Sequence, residues 1–147
     1  MGIGDQENAR DTPEAKSDEV SGFPWGAEFP PSSNNVGNYG DSTAVRKGEN
    51  EDTVLDSYDD GALITTSVMR YPANKLGIHD LGGNVWEWCQ ALFEPSGKWR
   101  VLRGGSWRDD SRLLLRSSLR IGSTPVSRLN LYGFRCVVVM GGSPKSD

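Results

Sequence analysis

The chain has 147 residues, of which 35% are hydrophobic, enough for one domain with a modest core. Its 18 glycines and 8 prolines point to a loop-rich architecture, and no apolar run is long enough to span a membrane. The net charge of −4 hides a division: residues 1–97 hold six Lys or Arg against seventeen Asp or Glu, and residues 98–135 hold nine against two.

Such asymmetry can mark a nucleic-acid surface, but the basic residues are almost all arginines spread along strands rather than clustered. Arginine suits bidentate pairing with carboxylates. Internal pairing is therefore expected, and a nucleic-acid partner is not.

Residues 1–22 are polar and without periodicity, and read as a tether or an extended surface segment. The opening MGIGDQENAR has no apolar segment behind a basic one, so it does not read as a signal peptide, and the default location is the cytoplasm. From Phe23 the composition turns to aromatics, Gly and Pro, which is irregular structure that packs rings. Residues 46–62 form an acidic loop ending in Asp59, Asp60 and Gly61. A short strand is expected at Leu63–Met69, closed by Pro72.

The stretch GIHDLGGNVWEWC, from Gly77 to Cys89, is the densest in chemistry. Gly77, Gly82 and Gly83 permit tight turns or positive φ. Val85–Cys89 reads as a strand that is apolar on both faces except at Glu87. A carboxylate buried between Trp86 and Trp88 needs an arginine, backbone donors or a metal. Asp80, the carbonyls of Gly83 and Val85, and Glu87 would make an oxygen cage of the kind calcium takes. Pairing of Glu87 with a downstream arginine is the alternative.

Pro95–Gly97 reads as a linker and Trp99–Arg103 as a strand, broken by Gly104 and Gly105. Leu113–Ile121 fits helix or strand, and Tyr132–Met140 reads as a strand whose valines argue for burial. The tail at 141–147 reads as disordered. Cys89 and Cys136 lie in strand-like segments and read as two buried thiols or a disulfide. With a single histidine, a His/Cys zinc site is not expected. No long helical period is present, so the residues by themselves read as mostly β with long loops.

In order and spacing, the pieces FPWG, GNY with a later acid–Gly pair, GIHDLGGNVWEW, RVLRGGSW, LRSSLR and GFRCV resemble the second half of the formylglycine-generating enzyme family, also called sulfatase-modifying factors. The resemblance runs from about Phe23 to Val139, so residues 23–140 are taken as a partial domain whose first half is missing. It implies an α+β, loop-rich, C-type-lectin-like fold with little regular secondary structure.

The resemblance also implies two structural calcium sites. One falls on Asn38, the carbonyl of Tyr39, Asp60 and the carbonyl of Ala62. The other falls on Asp80, Gly83, Val85 and Glu87, with Asp80 where some relatives have asparagine. Catalytic members hold copper(I) through two cysteines, as a soft ion requires. Those positions fall near Asp109 and Leu114, so neither copper nor a catalytic residue is expected.

What the resemblance implies is a non-catalytic, calcium-stabilised binding module, a pseudoenzyme; an oxidase acting on protein cysteine, or a component of one, is the alternative. Its ligand, a protein or a small molecule, would meet Ser106, Trp107, Arg108, Asp109, Arg112, Arg128, Asn130 and Tyr132. A dimer or a partner chain would cover the edge left by the missing half. His79 and Asp80 are adjacent in a turn and make no convincing triad with Ser106; His79 reads as a surface or packing residue.

Overall fold

The computed structural model describes residues 22–43, 54–55 and 57–138. The expected tether, all but its last residue, part of the acidic loop and the tail at 141–147 lie outside them. Among the described residues the named strands are β1 (Trp86–Leu92), β2 (Arg100–Arg103), β3 (Ile121–Ser123) and β4 (Tyr132–Gly133). They form one mixed sheet in the order β3-β2-β1-β4.

β1 and β2 are antiparallel, with Glu87 opposite Arg103 and Trp88 opposite Leu102, before an irregularity that leaves Leu92 opposite Arg100. The expected linker at Pro95–Gly97 is the tip of this hairpin. Phe93 N donates to Trp99 O at 3.0 Å, and Gly97 turns at φ 73°. β4 lies parallel to β1, with Trp86 opposite Tyr132 and Glu87 opposite Gly133.

Trp86, Val101 and Leu102 are buried in the sheet. A second apolar mass sits in the irregular segments: Phe23, Tyr39, Leu55, Tyr58 and Leu115 are buried, with Trp25, Phe29 and Val36 packed against them. Phe23 stacks on Trp25 at 5.1 Å, and Trp25 meets Tyr39 edge-on at the same separation. Rings at these separations add attraction beyond their buried area, which suits segments with no ladder to hold them.

Two expected strands differ. Leu63–Met69 is a run of bends and turns, because side chains rather than a neighbouring strand take its backbone groups. Asn38 Nδ2 donates to Ile64 O at 2.7 Å, Asn84 Oδ1 accepts from Thr66 N at 2.9 Å, and Asp80 Oδ2 accepts from Met69 N at 2.6 Å. Among the described residues of Tyr132–Met140, the strand covers only Tyr132–Gly133. Val137 and Val138 are each 81% exposed, so the burial expected of the valines is not found. Leu113–Ile121 is mostly turns, and both thiols are free, Cys89 half-buried and Cys136 exposed.

Candidate functional site

The first oxygen set converges on Asp60. Its Oδ2 accepts from Tyr39 N at 3.0 Å and its Oδ1 from Ala62 N at 2.8 Å, which brings the backbones of Asn38–Tyr39 and Ala62 to one carboxylate. Asp41 Oδ2 accepts from Asp60 N at 2.6 Å. Burial pushes the Asp60 carboxyl up to about 6, against the opposing pull of those backbone donors. Asn38 is 1% exposed. Its amide nitrogen reaches Ile64 O and Asn84 Oδ1, while its Oδ1 is buried without a partner.

The second set is arranged differently. Asp80 sits at φ 53°; its Oδ2 holds Met69 N and its Oδ1 is buried without a partner. Gly83 turns at φ 78°, and its N donates to Gly104 O at 2.8 Å. Glu87 is held by Arg135, whose Nε lies 2.8 and 2.6 Å from its two carboxylate oxygens. Nη2 of the same guanidinium lies 2.5 Å from Glu87 Oε1. Arg103, directly across the ladder, turns away to the carbonyls of Ser118 and Leu119.

Glu87 thus takes an arginine, one of the partners open to it. Arg135 also donates to His79 O at 2.9 Å and Asp80 O at 2.6 Å. Elsewhere the arginines are used internally, yet largely on carbonyls. Arg120 reaches Leu92 and Phe93, Arg100 reaches Gln90, and Arg70 reaches Asp60 O. His79 Nδ1 lies 2.7 Å from Tyr71 O, a hydrogen bond that ties its ring to the backbone.

The expected ligand face divides. Ser106 and Trp107 are interior, at 0% and 4% exposure. Ser106 donates from both N and Oγ to Asp109 Oδ2, at 2.7 and 2.6 Å. Burial raises the Asp109 carboxyl, while Ser106 and the Trp86 indole pull it back. Tyr132 presents its ring to Trp88. Arg108, Arg112, Arg128 and Asn130 face outward, Arg112 lying over the rings of Phe23 and Phe29.

Two residues escape the sequence reading. Asn84 joins both oxygen sets: besides Thr66 N and Asn38 Nδ2, its N donates to Asn38 O and its O accepts from Trp107 N. Its φ of 65° suits asparagine, and the preceding glycine pair was the available signal. Asn74 holds the amides of Leu76 and Ile78 on its Oδ1, and its Nδ2 is buried without a partner. With Pro24, Trp25, Tyr71 and Asp80 it lines a cavity of about 220 Å³, polar and roomy enough for ordered water. Among the described residues no three or more His, Cys, Asp or Glu are grouped to hold a metal. Any ion here would lean on amide and carbonyl oxygens.

The loop-rich sheet with paired glycine turns is of the sulfatase-modifying-factor type. The sequence matches the sulfatase-modifying factor enzyme 1-like domain over residues 8–140, and the chain belongs to that family. It is 36% identical over 131 residues to the inactive C-alpha-formylglycine-generating enzyme 2 of Mus musculus, covering 85% of this chain and 39% of the relative. It is 35% identical over 99 residues to the formylglycine-generating enzyme of Streptomyces coelicolor, covering 56% and 32%. The solved Treponema denticola variable protein 1 aligns with a TM-score of 0.50 at 25% identity, covering 82% of this chain and 44% of that one. The chain thus spans less than two fifths of these two enzyme-family relatives.

Proposed function

We propose that this chain is a non-catalytic binding module of its family, with a C-type-lectin-like fold braced by calcium at Asn38, Tyr39, Asp60 and Ala62. The observation that carries this reading is the Asn38 Oδ1, an acceptor buried without a partner, one residue from Tyr39, whose N donates to a carboxylate that burial pushes toward neutrality. A hard cation takes oxygen ligands of both kinds. Bound there, it would supply the charge that favours the ionised Asp60 and would tie the 38–43 segment to the 60–62 turn.

The non-catalytic part rests on residue chemistry. Asp109 and Leu114 stand where the family resemblance puts copper thiolates; a carboxylate and a hydrocarbon are not soft ligands. Asp109 is moreover committed to Ser106. The mouse relative is itself named as inactive. The ligand surface is then Arg108, Arg112, Arg128 and Asn130, open to a protein or a small molecule, with a second copy or a partner chain over the β4 edge.

The test is thermal unfolding of the purified chain in chelator and in calcium. A rise in Tm with calcium, abolished by Asp60→Asn, supports the brace; equal curves defeat it. Oxidation of a CxPxR peptide in the presence of copper and oxygen defeats the non-catalytic reading.

A further inference from the structure

A second calcium at Asp80, Gly83, Val85 and Glu87 would draw on the Asp80 carboxylate and, from β1, on that of Glu87. The Glu87 carboxylate already receives Nε and Nη2 of Arg135 on both of its oxygens. The same guanidinium donates to the carbonyls of His79 and Asp80. It therefore gathers, from the turn and from β1, the kind of oxygens that a hard cation would gather.

We infer that Arg135 is a built-in cation that takes the place of the second calcium, so that the turn at 79–80 is pinned to β1 by a guanidinium. Two features carry this. A guanidinium and a divalent cation cannot share one carboxylate and one turn without strong mutual repulsion. The oxygens of the Asp80 turn are also largely committed. Asp80 Oδ1 is free of partners, but its carbonyl faces Arg135 and its Oδ2 holds Met69 N. Calcium takes six to eight oxygen ligands.

The inference predicts the number of ions rather than their presence, so it survives or fails apart from the brace at Asp60. The experiment is calorimetric titration of the metal-stripped full chain with calcium chloride, on the wild type and on Asp60→Asn, Glu87→Gln and Arg135→Gln. Expected are one equivalent in the wild type, none in Asp60→Asn, and one in Glu87→Gln with Kd within about twofold of wild type. Arg135→Gln, which frees Glu87, is expected to gain a second equivalent. A wild type that binds two, losing one in Glu87→Gln, overturns the inference, as does a folded Arg135→Gln that gains none. A wild type that binds none defeats the Asp60 brace but favours the present inference, because the Glu87 set is then closed as well. Should Arg135→Gln fail to fold, the wild-type count and its response to Glu87→Gln decide alone.

Discussion

Asp60 and Glu87 show how one functional group acquires two fates from its surroundings. Asp60 is 7% exposed and its carboxylate is held by backbone N–H groups, with the Arg70 charge a lesser influence; Glu87 meets a full guanidinium at a partly exposed site. That Glu87 required a partner was legible in its place between two tryptophans. Which arginine it takes was not, because Arg103 lies directly opposite and Arg135 comes 48 residues later.

Asp60→Asn keeps the volume but turns an N–H toward a backbone donor. We expect a loss of about 2 kcal/mol in calcium-free urea unfolding. If calcium braces this site as proposed, the wild type at calcium 100 times Kd is expected to gain a further ~2.7 kcal/mol that the variant lacks.

Asp109 provides the pH test. Burial raises its folded pKa above the ordinary 3.8, so the folded state holds the proton more tightly than the unfolded state. Its contribution is fully present below 3.8 and is lost as pH rises through the folded value. The difference in unfolding free energy, Asp109→Asn minus wild type, is therefore expected to grow as pH rises from 3.8. Urea midpoints at stepped pH read it directly, and a flat or falling difference contradicts the burial argument.

At the scale of elements, hydrogen-bond supply decides which expected strands form. β1 and β2 were legible because apolar residues there are bounded by glycine turns and have each other as ladder partners. Leu63–Met69 carries β-prone residues, but Asn38, Asn84 and Asp80 satisfy its backbone from the side. No local pattern in the segment announces helpers that lie 11 to 26 residues away. Asn84→Gly keeps the left-handed backbone while deleting the side chain. It is expected to cost about 2–3 kcal/mol for three lost hydrogen bonds, one of them long, and to speed amide exchange at Thr66 while leaving β2 protected. Gly83→Ala tests the turn itself: a Cβ there would lie 2.4 Å from Asn38 O at a φ of +78°. A loss of about 3 kcal/mol or more in urea unfolding is expected.

At the scale of the whole molecule, the aromatic mass around Tyr39 is buried, whereas large apolar side chains stand exposed at several places among the described residues, Val68, Leu76 and Val126 among them, and in a run just beyond β4. Phe134 is 74% exposed, and Val137 and Val138 are 81% exposed, on the edge side of a strand with a single neighbour. The apolar character of this run was legible; its exposure was not, because burial depends on what meets the run in space, which its own pattern does not state. Covering such side chains is worth roughly 1.5–3 kcal/mol each, and an edge strand offers a row of backbone groups for pairing. The chain alone is therefore expected to show concentration-dependent association in sedimentation velocity. Val137→Lys with Val138→Lys should shift it to the monomer while leaving Tm and the calcium response unchanged, since neither side chain touches the core. Association that persists in the double variant would move the contact to another face. A fall in Tm would instead mean that the run already packs against this same chain.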